Sequence, residues 1–403
     1  MARLKRALSL FQVTVCGVGI ILGAGIYALV GLGAGYAGPA LWLSFLISGI
    51  IAAFTALSYA ELSSIFREDA GEYDYVRETM GKTTAIITGL IVLFLGIFTA
   101  ATVSLAFGGY FNKLVGTPIL LTGIGLLFAM TVINYMGIKE SATMNLIFTA
   151  IESAGLLIII VLGIKHLGSV NLLEMPNGMQ GVFQATALIF FAYIGFEAVV
   201  KFAEETKNPE KNIPRGVLLS LLFSTIVYVL VAIAAVSIMP WFDLSTSQAP
   251  LADVAAVSLG VYAFILLGVI ALFSTANTVL MDLVTISRMA YGIAVKKALP
   301  NFLTKVHGKT KTPHVAIFTV FIITVCFMFI KDLEKIANIA DLLLFIVFIL
   351  VNVAVIVYRY KRPNVKRPFK MPLNIGKFPV LALFGLITSF MMIYFVLLNL
   401  KIF

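Results

Sequence analysis

The sequence predicts an all-α, polytopic membrane protein, and three observations predict it. Hydrophobic residues make up 61% of the chain and charged residues only 12%, against roughly 25% charged in a soluble domain. Apolar stretches of about 20 residues, enough to cross roughly 30 Å of hydrocarbon, recur from one end to the other. The connections between them alternate between rich and poor in Lys and Arg, the pattern left when positive charge is retained on the cytoplasmic side. A mean hydropathy of +1.04 agrees.

Polar, Gly-rich and Pro-rich connections divide the chain into eleven predicted spans. They lie near 9–34, 39–64, 84–112, 118–136, 142–164, 180–203, 215–239, 253–290, 313–330, 335–358 and 378–400. The whole of 1–403 reads as a single transmembrane domain with no room for a separate soluble one. Arg3, Lys5 and Arg6 precede an apolar run, but that run continues past Tyr27 and further spans follow, so it reads as the first membrane helix and not a leader peptide. With the amino terminus cytoplasmic, only Lys113, Lys165, Lys331, Lys335 and Lys401 of the 29 Lys and Arg residues fall outside. This predicts a multi-pass protein of the cytoplasmic membrane. The formal charge of +10 therefore reports topology and attraction to anionic lipid, not nucleic-acid binding. Even the basic run from Arg359 to Lys370 lies between two predicted spans. Cys16 and Cys326 both fall within spans and are expected as buried small apolar side chains, not a disulfide.

The first span crowds Gly17, Gly19, Gly23 and Gly25 into its middle, although each glycine costs a helix roughly 1 kcal/mol relative to Ala. One explanation is close packing, since small residues four apart, such as Gly19 and Gly23, let helices approach. The other is an unwound stretch whose freed amides and carbonyls bind a ligand at mid-membrane. The sixth span carries Gly195 and Glu197 near its centre and begins five spans after the first. Five is odd, so a second five-helix unit would be inverted relative to the first and set the two interrupted helices opposite each other. The predicted architecture is thus a five-plus-five inverted repeat with discontinuous first and sixth helices. The first repeat spans about 9–164, the second about 180–358, and an additional helix about 378–400.

The residues also resemble a known family. Gly19-Ile-Ile-Leu-Gly-Ala-Gly-Ile-Tyr27, Ala37-Gly38-Pro39 and Ser58-Tyr-Ala-Glu-Leu62 look like the opening of the amino acid–polyamine–organocation superfamily, nearest its prokaryotic cationic-amino-acid-transporter-like branch. Asn134-Tyr-Met-Gly137, Ala192-Tyr-Ile-Gly-Phe-Glu197, Glu204-Glu-Thr-Lys-Asn-Pro209 with Ile213-Pro214, and Ser274-Thr-Ala-Asn277 with Ser287-Arg288 continue it in order. The resemblance implies a LeuT-like secondary transporter of amino acids. Two departures stand out. Most members carry at least twelve spans, so eleven would leave the carboxyl end outside and no oligomer interface assigned. Ala24 stands where many relatives have Ser or Thr.

A zwitterionic amino acid needs partners for a carboxylate and an ammonium group. The half-helix after the first break would aim the amides of Ala24, Gly25 and Ile26 and the positive end of its dipole at the carboxylate, with Gly23 giving close approach. By resemblance, the ammonium acceptors are the carbonyls of Ile21, Phe191 and Ile194 at the breaks, beside Gly195, and the Phe191 ring is an aromatic lid. The third span holds no acidic residue, which favours a neutral amino acid; a carrier of cationic amino acids or polyamines is the alternative. Glu197 could serve a cation, but Lys201, one turn on, would neutralise it, and the alternative is a structural pair or a gating element. Asn208-Pro209 is expected to stop the sixth helix, and Glu204 and Glu205 to hold basic inner-loop residues in one gate state.

Glu152 sits in the middle of the fifth span. An intramembrane carboxylate costs roughly 2.5–3.5 kcal/mol to insert and tends to serve function. By resemblance it falls near the position where some proton-coupled members place a lysine, beside eighth-helix hydroxyls, here Ser274, Thr275 and Thr278. It is expected either as a protonatable coupling group, with sodium at the same site as the alternative to H+, or as a protonated structural carboxyl donating one hydrogen bond to a neighbouring helix; no other cofactor or metal is expected. His166, His307 and His314 all fall in loops, and no Gly-Lys-Ser/Thr phosphate loop occurs, so neither a catalytic nor an ATP-hydrolysing constellation is present. The remaining rival is a non-transporting amino acid sensor, which would usually carry an added cytoplasmic domain.

Overall fold

The computed structural model describes residues 9–66, 71–295, 297–310, 312–330 and 332–402, and of 138–143, 146 and 201–205 the backbone only. The first span is two helices, α1 (Leu10–Ile21) and α2 (Ala24–Ala37). A capping box starts α1: the Gln12 amide donates to Ser9 Oγ at 3.3 Å and the Ser9 amide to Gln12 Oε1 at 2.9 Å. A 3-10 turn through Pro39 leads into α3 (Leu41–Ile65). The chain continues as a short connecting helix α4 (Gly71–Met80), then α5 (Lys82–Val115), α6 (Ile119–Met136) and α7 (Ile138–Gly163). The sixth span opens as α8 (Gly178–Ile189) and passes into two 3-10 stretches. After it come α9 (Pro209–Ile238), the short α10 (Trp241–Thr246) and α11 (Pro250–Leu259), and α12 (Val261–Val295). The last elements are α13 (His314–Met328), α14 (Leu333–Lys361), a minimal hairpin of β1 (Asn374–Ile375) and β2 (Phe378–Pro379), and α15 (Val380–Asn399). Among the described residues nine helical stretches are long and apolar enough to cross a membrane, accompanied by the shorter apolar helices α1, α11 and α13.

Three expectations need correction. The seventh helix begins at Pro209 and not near 215, because a proline at the first helical position loses no hydrogen bond the helix would have used. Asn208 makes the turn in a left-handed conformation, φ 48°. The predicted eighth span is two helices, α11 and α12, separated at Gly260, whose φ of 78° suits glycine. Cys326 is exposed and Cys16 only partly buried, since an apolar side chain in a membrane helix is as stable against lipid as against the core. The side chains of Lys201, Glu204 and Glu205, and with them the pairings expected of these residues, lie outside the described residues.

The helices that matter for the site pack in pairs. α3 lies along α9, α5 along α12, α1 against α9 and α2 against α8. Small polar side chains bind backbone across these contacts: Ser44 Oγ donates to the Val182 carbonyl at 3.0 Å and Ser48 Oγ to that of Thr186 at 3.1 Å. The aromatic heart is Phe45, Tyr193 and Tyr228, with ring centroids 5.3–5.5 Å apart. At the end of α14, Arg359 forms a buried ion pair with Glu61 of α3. Removing one partner of such a pair costs roughly 3–5 kcal/mol, because it leaves an unpaired charge in the protein interior.

Candidate binding site between the broken helices

The break in the first span is two residues wide, Leu22 and Gly23. α1 ends with the Leu22 amide donating to the Val18 carbonyl at 2.8 Å, Gly23 turns, and α2 restarts at Ala24. The first amides of a helix have no intrahelical acceptor. That of Ala24 donates to Thr278 Oγ1 of α12 at 3.0 Å, so a hydroxyl already caps this half-helix. The glycines of the cluster have different neighbours. A Cβ on Gly17 would lie 2.7 Å from that of Ser220 on α9, and one on Gly19 would collide with Thr149 of α7, so these two serve helix packing. Gly23 faces the Thr278 hydroxyl, and Gly25 abuts the backbone of Ala192.

The break in the sixth span is longer and differently made. α8 tightens into a 3-10 turn over Phe190–Tyr193, and the Ile194 amide donates to the Phe191 carbonyl at 3.2 Å. Gly195 then takes φ 122° and the chain resumes as a second 3-10 stretch, Phe196–Glu205. Ten residues of 3-10 helix are uncommon, and such stretches mark hinges or strain. Glu197 Oε2 accepts from the Gly195 amide at 2.9 Å, turning back over the break. The two breaks touch: a Cβ on Gly195 would lie 2.6 Å from Ile20 Cγ2. Tyr228 of α9 joins them, its hydroxyl meeting the carbonyls of both Ile21 and Ala192, the latter at 2.8 Å.

Around this junction lies a cavity of about 160 Å³. Ile21, Gly23, Ala24, Gly25, Phe191, Ile194, Gly195 and Glu197 of the expected set all line it. Ile26 is fully buried and does not. From the breaks the cavity follows the first half of α5, through Thr99, Leu95 and Val92, and the second half of α12, through Met281, Thr285 and Met289. The wall is mostly apolar, and Asp282 joins Glu197 as its second carboxylate.

The expected coupling residues divide. Glu152 is fully buried with neither carboxylate oxygen in a hydrogen bond. The Ser274 hydroxyl faces it, and the phenols of Tyr27 and Tyr228 are close by. Tyr27 Oη donates to the backbone carbonyl of Glu152 at 2.9 Å, which ties this turn of α7 to α2. Thr275 does not join: its hydroxyl is spent on the Ala271 and Leu272 carbonyls of its own helix. Thr278 caps Ala24 instead of reaching the carboxyl.

Sequence reasoning missed two residues. Tyr228 gave no signal, being one tyrosine in an apolar helix. Asn277 did, since it ends the Ser274–Asn277 motif. Its Nδ2 donates to Thr149 Oγ1 at 3.3 Å, while its buried Oδ1 has no partner and the residue lines the cavity. An unpaired acceptor there suits a ligand's N–H.

Comparison with known proteins places the chain. It is 33% identical over 391 residues to a branched-chain amino acid permease of Bacillus subtilis (strain 168), covering 92% of this chain and 84% of that one. It is 30% identical over 390 residues to a methylthioribose transporter of the same organism, with the same coverage. A vacuolar cationic amino acid transporter of Arabidopsis thaliana is 29% identical over 389 residues, 90% of this chain and 64% of that protein. A profile of the amino acid permease family matches residues 8–401. The two broken helices thus belong to a transporter and not an enzyme: the chain is a member of the amino acid permease family.

Proposed function

We propose that this protein carries a neutral, aliphatic amino acid across the cytoplasmic membrane by alternating access, with a proton on Glu152 as the coupling ion. The observation that carries this reading is the junction of the two breaks on one cavity, where the first amides of α2 and the backbone of the sixth-span break line the same space. The Gly25 amide takes the substrate carboxylate, and Asn277 Oδ1 with the break carbonyls takes the ammonium group. The apolar wall of Val92, Leu95, Met281 and Met289 takes the side chain. The pairing of α3 with α9 and of α5 with α12 supports two five-helix units, since it joins the second span to the seventh and the third to the eighth.

With the amino terminus inside, the cavity leads from the breaks toward the cytoplasm, so this is an inward-facing form. Its outer side is held shut where Tyr36, at the end of α2, bonds Glu334 at the start of α14. Asn177 Nδ2 adds a bond to the Tyr36 carbonyl at 3.0 Å. Glu152, unpartnered and next to the break, exchanges its proton when water reaches the junction. Glu197 and Asp282 in the lining favour a second reading, a cationic amino acid, unlike the branched-chain substrate of the Bacillus subtilis permease.

Uptake of labelled leucine and labelled arginine into proteoliposomes under an imposed pH gradient tests both readings. Leucine accumulation resistant to excess arginine and putrescine is expected; the reverse selects the cationic reading. Glu152→Gln is expected to bind leucine as wild type does but to lose gradient-driven accumulation. Full accumulation by that variant would make Glu152 a structural residue.

A further inference from the structure

The basic segment after α14 is left unused by the transport site. Residues 363–377 fold back under the end of α14 and enclose with it a cleft of about 280 Å³. Its charged lining is Arg359, Arg367, Lys370 and Lys377, with no carboxylate. The two arginines are built in. Arg359 is 3% exposed, its Nε donating to Glu61 Oε1 at 2.7 Å and its Nη1 to the Lys377 carbonyl at 3.4 Å. Arg367 is clamped through its terminal nitrogens to the carbonyls of Arg362 and Val365, both at 2.9 Å. Its Nε is buried without a hydrogen bond, 3.5 Å from Glu61 Oε1.

One fully buried carboxylate, Glu61, thus stands behind four cations, and it also accepts the Met371 amide at 3.0 Å. Gly376, at φ 61°, turns the hairpin that brings the exposed Lys377 to the rim. The cleft lies between the end of α14 and the start of α15, two membrane-crossing helices, and therefore opens at the membrane surface. In a cleft at that level, the two guanidinium groups, their donors held by protein acceptors, supply fixed positive charge at the back, and the exposed ammonium groups of Lys370 and Lys377 supply donors at the rim, a set that suits a multiply charged oxyanion.

We propose that this cleft binds a phosphate group, carried either by an anionic phospholipid headgroup or by a soluble phosphate compound. Such an anion offsets the repulsion among the four cations and braces the junction of α3, α14 and the hairpin. The proposal does not rest on the transport reading.

The test uses the full chain in phosphatidylcholine nanodiscs, with thermal unfolding as readout. Added phosphatidylglycerol, inorganic phosphate, and chloride at matched ionic strength form the three arms. Lys370→Gln/Lys377→Gln is compared with Lys207→Gln/Lys211→Gln, an equal charge change at exposed sites elsewhere. A midpoint rise of at least about 2 °C is expected in wild type and in the Lys207/Lys211 pair, and its loss in the Lys370/Lys377 pair. A rise with phosphatidylglycerol alone assigns the phosphate to lipid; a rise with inorganic phosphate in pure phosphatidylcholine assigns it to a soluble compound. Native mass spectrometry of the wild type, counting retained phosphatidylglycerol, serves as a second readout free of any variant. The proposal is overturned if neither phosphate source exceeds chloride, or if the Lys370/Lys377 pair keeps the wild-type shift.

Discussion

The first and sixth spans are both interrupted at mid-membrane, but by opposite means. The first stops and restarts within two residues, as a regular α-helix on each side of Leu22 and Gly23. The sixth tightens gradually, turns at Gly195 and continues as a long 3-10 helix. A sharp break leaves a complete helix start, whose amides and dipole form a fixed anion-facing end. A gradual one leaves a segment with poorer hydrogen bonds, suited to shift between packings. The Tyr228 hydroxyl joins the two, meeting the Ile21 carbonyl of the first break and the Ala192 carbonyl of the sixth.

The largest effect should come from Gly195. A side chain there must adopt φ 122° and also meets Ile20, so Gly195→Val combines strain of order 1–3 kcal/mol with a steric clash. The variant is expected to lose its folded state, read as loss of monodisperse protein in size-exclusion chromatography and a lowered unfolding midpoint. Wild-type stability would mean that the sixth break has another geometry.

An intermediate effect separates the two glycines of the first break. Gly25→Ala drives a methyl group into the Ala192 backbone, whereas Gly23→Ala meets only the Thr278 side chain. Substrate-induced thermal stabilisation should vanish in Gly25→Ala and stay lost when Thr278→Ala is added. In Gly23→Ala, adding Thr278→Ala should restore it. Equal rescue of both would end the claim that Gly25 sets the spacing of the breaks.

The smallest effect concerns the tie. Tyr228→Phe leaves two buried carbonyls without their hydroxyl donor, a loss of about 1–3 kcal/mol. Uptake should fall further than this destabilisation alone accounts for, because the two halves lose their register. Comparison of unfolding midpoint with initial uptake rate checks it, and a rate that merely tracks folded fraction would reduce Tyr228 to packing.

What the sequence determined by itself was local. Apolar runs of spanning length, basic connections on one side and glycine crowding in the first span are properties of neighbouring residues, and they placed the helices and both breaks. The same logic failed where a local signal was ambiguous: Pro209 reads equally as a helix stop and a helix start. Only the tertiary structure decided which groups are already satisfied. Thr278 caps Ala24 across 254 residues of chain, Tyr228 reaches Ile21 across 207, and Arg359 meets Glu61 across 298. Thr275, adjacent in sequence to the Ser274 that faces Glu152, is bound within its own turn. Hydrogen bonds of this kind are set by rotation and register of packed helices, to which hydrophobic pattern is blind because lipid and core are equally apolar.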